Sequence, residues 1–251
     1  MGEITNTATW EKTGGEYAID YMKRYNLVSY DEYIESQLAR VKSKQGTFLE
    51  QPDRLEMFKK IANTAGEKLP KLKRIVCMGV KNGAECFEFK KNRFYCEAEI
   101  HGVELSELVK TAKGDDDLKF HQLDFNELPK DWKNKFDFVF SNSLDHSYLV
   151  KETIEEWYRI LHSKGYMLLT MSSGLITHAD VYSFEVKDID KIFDRNKFTL
   201  EKIWTEKGQT TGFNILLKVK ALEEENLSEE ELLSHYYPAI AENKITNRFF
   251  E

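Results

Sequence analysis

The chain is poor in residues that break or staple a fold. It has 13 glycines and 4 prolines among 251 residues, about 7% against roughly 12% in an average protein. Collagen-like repeats and long structureless loops are thereby excluded. Cysteine is scarce too. Cys77, Cys86 and Cys96 are odd in number and lack CxxC spacing, which argues against a disulfide framework or a zinc site. Free thiols in a reducing, cytoplasmic setting are expected, and no metal. No apolar run approaches the roughly 18–20 residues of a membrane helix; Ile75–Val80 and Tyr166–Met171 are strand-sized. No basic start leads into an apolar core, so no signal peptide is expected. Met1-Gly2 is followed by Asn6 where a myristoylation signal needs Ser or Thr. Basic residues are the minority, 36 Lys and Arg against 43 Asp and Glu, for a net charge of −7. That disfavours a nucleic-acid coat or an anionic membrane surface as partner.

What is present is an ordinary globular composition, 41% hydrophobic and 31% charged, which excludes intrinsic disorder. Three stretches differ in texture. Residues 1–70 read as a helical extension. Ser29-Tyr-Asp-Glu32 fits a capping box, in which the serine hydroxyl and the glutamate satisfy orphan helix amides. Ile34, Leu38 and Val41 follow at helical spacing. A second helix is predicted from Pro52-Asp53, with Leu55, Phe58, Ile61 and Ala62 as its apolar stripe and Gly66 as its stop.

Residues 71–221 alternate strands and helices. Lys73–Gly79, Glu99–Leu105, Leu118–Leu123, Phe136–Ser141 and Tyr166–Met171 read as strands; residues 84–91, the stretch around Ile154, Trp157, Tyr158 and Leu161, and Val186–Asn196 read as helices. Continuous apolar strands interleaved with helices predict a parallel sheet covered on both faces. Two more strands, Phe198–Trp204 and Phe213–Val219, are joined by Glu206–Gly212, too short for a crossover helix, so they must pair antiparallel. Residues 222–251 form an acidic tail with a capping box at Ser228-Glu-Glu-Glu231.

Four motifs fall at strand ends, where open parallel sheets bind ligands. In Ile75-Val-Cys-Met-Gly79-Val-Lys81-Asn-Gly83-Ala-Glu85, a strand runs through a glycine turn into a helix. Glycines there allow close backbone approach, and amides at a helix start attract an anionic group. Plain turn geometry would leave the same pattern. Glu104 ends the second strand, 21 residues after Gly83, close to the ~20 of ribose-binding acids in dinucleotide folds; a surface glutamate is the plain alternative. Asp124-Phe125 follows the third strand, where an Asp can accept from an adenine amino group and an aromatic ring can pack on the base. It could equally cap a turn. Ser141-Asn-Ser-Leu-Asp145-His146-Ser147 follows the fourth strand. His146 is the best-placed general base of the chain, unless it merely packs against the next helix.

These residues, together with Leu161-His-Ser-Lys-Gly165-Tyr-Met-Leu-Leu, resemble the class I S-adenosylmethionine-dependent methyltransferases over about residues 71–220, and in particular the broad small-molecule group often called type 11. The resemblance implies a Rossmann-like, seven-stranded, mostly parallel sheet with the last strand antiparallel and helices on both faces, here preceded by the N-terminal helical extension. The tyrosines of that extension, Tyr17, Tyr21, Tyr25, Tyr30 and Tyr33, could form a lid over the cofactor or equally pack its helices onto the sheet. The family's first motif is acidic-x-Gly-x-Gly-x-Gly. Here Cys77 replaces the acid and Lys81 the middle glycine, and Lys81 could itself reach the cofactor's carboxylate. The resemblance further implies that Gly79, Val80, Lys81 and Gly83 hold the methionine end of S-adenosylmethionine. Glu104 and Leu105 would serve the ribose, Asp124 and Phe125 the adenine, and Ser141 and Asn142 would line the sulfonium. His146, oriented by Asp145, would be the base that prepares an oxygen or nitrogen nucleophile.

The Asn/Asp-Pro-Pro-Tyr loop of DNA-base and many protein N-methylating enzymes is absent, and Ser141-Asn-Ser-Leu stands in its place. A small-molecule substrate is expected, with a lean towards a sugar or surface-polysaccharide precursor. Three rivals stay open: a nicotinamide-dependent oxidoreductase, for which Lys81 and Ala84 occupy glycine positions; a metal-dependent O-methyltransferase, for which Asp145 is thin support; and a non-catalytic, methyltransferase-like scaffold. Asp115-Asp-Asp117 reads as a solvated loop. His101, His121, His162, His178 and His235 show no ligand spacing.

Overall fold

The computed structural model describes residues 29–43, 52–147, 150–172, 184, 186, 189–209 and 212–220. Tyr17, Tyr21 and Tyr25, His178, His235 and the acidic tail lie outside them. Helix α1 spans Tyr30–Ser43 and α2 Pro52–Gly66. The Ser29 hydroxyl accepts from the Glu32 amide at 3.2 Å, which is the serine half of the predicted capping box.

Seven strands follow: β1 Arg74–Met78, β2 Glu99–Glu104, β3 Leu118–Gln122, β4 Phe136–Ser141, β5 Leu161–Met171, β6 Phe198–Trp204 and β7 Phe213–Val219. Between them lie α3 Ala84–Lys91, α4 Val150–Ile160 and the short α5 Ile189–Ile192. They form one sheet in the order β3-β2-β1-β4-β5-β7-β6. Strands β1 to β5 are mutually parallel, and β7 runs antiparallel between β5 and β6. The order reverses between β1 and β4, so the loops leaving these two strands part company and open a crevice at the carboxyl edge.

Side chains alternate across the sheet and feed two cores. Ile75, Cys77, Phe138, Phe140, Leu168 and Leu216 meet Phe58, Ile61 and Ala62 of α2 and Phe89 of α3. Phe89 is the hub there: its ring lies 5.1 Å from Phe58, 4.8 Å from Tyr95 and 5.2 Å from Phe140, each edge to face. Val76, Met78, Val139, Met167, Leu169 and Leu217 meet Ile154 and Trp157 of α4 and Ile192 of α5 on the opposite face. Residues 52–66 therefore belong to the core of the sheet domain.

Two boundaries differ from the sequence reading. Leu161, expected in the helix, already pairs with Phe136 as the first residue of β5. His162–Gly165, expected as a turn, bulges out of the same strand before pairing resumes at Phe138 and Tyr166. A helix-to-strand join without a linker leaves no local signal to separate the two. Of Val186–Asn196, only Ile189–Ile192 is α-helix among the described residues, with Val186 in 3-10 helix.

Candidate cofactor and active site

Register places the four predicted motifs on one rim. Met78 pairs with Val103 on one side and Ser141 on the other, and Glu104 pairs with Gln122. The loops after β1, β2, β3 and β4 thus leave the same edge of adjacent strands.

The loop after β1 is held tightly to β2. Gly79 and Val80 both donate their amides to the Val103 carbonyl, at 2.8 and 3.2 Å, and Gly83 donates to Val80 at 2.7 Å. The Lys81 amide donates to Glu104 Oε2 at 2.8 Å. The Gly79, Val80 and Lys81 amides are thus directed to β2. Gly79, Lys81 and Gly83 all have left-handed backbone, with φ of 75°, 50° and 83°. A Cβ on Gly79 would stand 2.6 Å from Ser143 Cβ and Oγ, so the loops after β1 and β4 touch only because glycine is there. A Cβ on Gly83 would stand 2.3 Å from the Phe120 ring.

Glu104 is buried, and each carboxylate oxygen accepts one amide: Oε2 from Lys81, and Oε1 from Ser106 at 2.9 Å. A carboxylate offers about four acceptor sites, so acceptor capacity remains for hydroxyl donors. The Leu105 carbonyl accepts from Gln122 Nε2 at 3.3 Å. Asp124 Oδ1 accepts from the Asn126 amide at 2.8 Å and its side chain at 2.7 Å. Phe125 is half-buried, its carbonyl accepting from Trp157 Nε1 at 3.0 Å and its ring 5.7 Å from that indole. Asn126, missed in the sequence, ties this loop to the next one: its Oδ1 accepts from Ser147 at 3.1 Å and from Thr153.

Ser141 is wholly buried, donating to the Met78 carbonyl at 3.3 Å and accepting from the Ser143 amide at 3.0 Å. It shapes the turn that presents Asn142. His146 is half-exposed on a short turn of 3-10 helix, while Asp145 beside it is buried. Their closest approach is 3.9 Å, an ion-pair distance for a protonated ring and too long for a hydrogen bond. From α1, the buried Tyr33 donates its hydroxyl to the His146 carbonyl, which docks the N-terminal helix onto this loop.

The sequence reading missed Glu85. It lies in the first turn of α3, 5% exposed, with Oε1 accepting from Asn142 Nδ2 at 3.4 Å. Burial pushes its carboxyl up to about 7, although its own backbone amide, Asn142 and Lys81 act the other way. Its spacing to the buried Phe89, one helical turn on, is the signal that could have found it.

These features bear on what kind of ligand the rim can take. A dinucleotide places its pyrophosphate at the helix start; here a buried carboxylate, Glu85, sits in that first turn and opposes an anion. No group of three His, Cys, Asp or Glu side chains that could hold a metal occurs among the described residues. No helix among them is long and apolar enough to cross a membrane. An adenosine carrying a zwitterionic, cationic tail fits: a buried carboxylate with spare acceptor sites at β2, and buried Asn82 Oδ1 and Ser106 Oγ without partners among the described residues.

Fold and rim together define a nucleoside-cofactor enzyme of the open α/β type. The sequence model of the family described as a methyltransferase domain matches residues 78–216, more than half of the chain, and the chain belongs to that family. It is a class I S-adenosylmethionine-dependent methyltransferase, with S-adenosylmethionine as its cofactor. No curated protein matches it in sequence. Among solved structures it is similar to the 1,6-didemethyltoxoflavin-N1-methyltransferase of Burkholderia thailandensis with bound 1,6-didemethyltoxoflavin and S-adenosylhomocysteine. The two share 13% identity over 78% of this chain and 92% of that one, with a TM-score of 0.59. An S-adenosylmethionine-dependent methyltransferase of Aquifex aeolicus shares 17% identity over 72% and 97%, with a TM-score of 0.56. The [4+2]-cyclase SpnF shares 14% over 70% and 83%, with a TM-score of 0.55. At such identities the likeness is one of fold.

Proposed function

We propose that the enzyme methylates an oxygen or nitrogen nucleophile of a small polar metabolite, with a sugar or surface-polysaccharide precursor as the substrate class to try first. The observation that carries this reading is the placement of His146. It is a partly exposed imidazole on the loop after β4, beside the Gly79–Ser143 contact and beneath α1. The cofactor supplies an electrophilic methyl group on a sulfonium, and the protein's task is alignment and proton removal. Glu104 holds the ribose hydroxyls, Asp124 and Phe125 meet the adenine, and the rim of Gly79, Val80, Lys81, Gly83 and Asn142 encloses the amino-acid end. His146 takes the proton of a hydroxyl nucleophile as it attacks; an already neutral amine needs less help. Asp145 favours the resulting imidazolium through its charge, since 3.9 Å allows attraction without a hydrogen bond. Helix α1, docked through Tyr33, covers the pocket as a lid. The net charge of −7 supports a partner that is not a nucleic acid.

The test is a methyl-transfer assay over hydroxylated and aminated metabolites, run beside calorimetric titration with S-adenosylhomocysteine. His146→Ala is expected to lower kcat by ~10²-fold or more at unchanged cofactor affinity. A wild-type rate in that variant would sink the assignment of the base. Cofactor binding with no transfer to any acceptor, by a wild-type protein of normal stability, would favour a ligand-binding role instead.

A further inference from the structure

The glycine loop carries a charge that a glycine-rich version would lack, and the helix after it carries a buried carboxyl group. Lys81 stands where the family has its middle glycine, and Glu85 follows four residues later on the first turn of α3. The family's acid at the end of β1 is here Cys77, wholly buried. Its thiol is pushed upward mainly by burial, with the nearby Glu85 adding to the effect. An acid absent from the strand thus reappears on the helix that faces it. Glu85 is 5% exposed and has no cation within ion-pair distance among the described residues. Its hydrogen-bond donors are its own backbone amide and the Asn142 side-chain amide at 3.4 Å, a long contact from the end of β4. Lys81 and Glu104 are the charged groups that act on it, the first favouring its ionised form and the second opposing it. Burying a carboxylate with so little compensation is unfavourable. A cation arriving in the pocket would remove that penalty.

We propose that Lys81 and Glu85 form a zwitterion clamp, in which Glu85 accepts the α-ammonium and Lys81 meets the α-carboxylate of the cofactor's amino-acid end. The proposal rests on the placement of that end at the Gly79–Gly83 loop. Cofactor affinity then depends on pH through Glu85. With its carboxyl near 7 in the free protein, the ionised form that binds the ammonium becomes dominant as pH rises through neutrality. The clamp would also select against polyphosphate cofactors, because an anion at the start of α3 would meet a carboxylate.

Two probes test it: S-adenosylhomocysteine, which has the amino-acid end, and 5′-methylthioadenosine, which keeps the nucleoside and lacks that end. Calorimetric titrations of wild type, Glu85→Gln and Lys81→Met are run at pH 6.0 and 7.5, with thermal unfolding of each unliganded variant. Glu85→Gln is expected to weaken S-adenosylhomocysteine by about 10-fold or more, to leave methylthioadenosine within about twofold, and to unfold at or above the wild-type temperature. Wild-type affinity for S-adenosylhomocysteine is expected to rise several-fold between the two pH values, and the rise to vanish in Glu85→Gln. Lys81→Met is expected to weaken S-adenosylhomocysteine alone. Equal losses for both probes, or unchanged affinity in Glu85→Gln, would overturn the clamp. A folded wild type that binds methylthioadenosine but not S-adenosylhomocysteine would overturn it too. A folded wild type that binds neither would instead overturn the placement of the cofactor on which the clamp rests.

Discussion

Glu104 holds the cofactor rim together from inside, and replacing it by glutamine separates its two roles. Both oxygens accept buried amides, Lys81 at 2.8 Å and Ser106 at 2.9 Å. Glutamine has one acceptor oxygen and one amino group, so whichever way it turns, one amide faces another donor. An unsatisfied buried amide costs about 1–3 kcal/mol. At about 2–4 °C per kcal/mol for a chain of this size, Glu104→Gln is expected to melt roughly 2–12 °C below wild type. The second role, the proposed one, is towards the ribose. Bonds to a charged acceptor are about twice as strong as neutral ones, a difference of about 1 kcal/mol, so S-adenosylhomocysteine is expected to bind about 5-fold more weakly. A ligand lacking both ribose hydroxyls closes the cycle: against it, the variant and wild type should bind alike. The assay is differential scanning calorimetry followed by titration with the two ligands. An unchanged melting temperature would refute the bracing role. A loss of affinity that persists with the deoxygenated ligand would show that Glu104 acts only through loop geometry, and the ribose assignment would fall.

Gly79→Ala must hold left-handed backbone at about 1–2 kcal/mol and press a methyl to 2.6 Å from Ser143; weaker S-adenosylhomocysteine binding is expected, partly restored by adding Ser143→Gly, and a wild-type affinity in the single variant would contradict the contact. His101 is buried, pairs through Nδ1 with His121 at 3.0 Å and through Nε2 with Glu99 at 3.0 Å, and burial pushes it down to about 4. Lys119 and Lys135 add positive charge around the pair. The unfolded chain therefore takes up a proton below about pH 6.5 that the folded chain refuses until about pH 4, so stability present above 6.5 is lost as pH falls through that window. Denaturant titrations at pH 7 and 5 should differ by about 2 kcal/mol more for wild type than for His101→Gln; equal differences would refute it. Phe89→Ala, at the hub of four aromatic contacts, should cost about 3–5 kcal/mol in the same titrations, and a loss below about 1 kcal/mol would show that the core can collapse around it.

The sheet was legible because its strands are nearly continuous apolar runs, which only a doubly covered parallel sheet buries. Leu168 and Leu169, adjacent in β5, end in opposite cores. The short Glu206–Gly212 link made the antiparallel pairing of β6 and β7 a matter of chain length. The join at Ile160–Leu161 was illegible because a buried leucine reads alike in either element. At the site, the positions of Gly79, Glu104 and Asp124 could be read from their spacing to strand ends. What the loop amides do could not, since the Gly79 and Val80 amides go to the Val103 carbonyl and the Lys81 amide to the Glu104 carboxylate, both on another strand. That pairing changes the chemistry expected of the rim. A loop with free amides selects anions through backbone dipoles, whatever side chains it carries. A loop whose amides are tied to β2 leaves selection to its side chains, here Lys81, Glu85 and Glu104. On the clamp proposed above, the departures from the glycine-rich pattern at Cys77 and Lys81 are no loss of function, because the charge that reads the cofactor would then sit on the loop and the helix instead of on the backbone and the strand end.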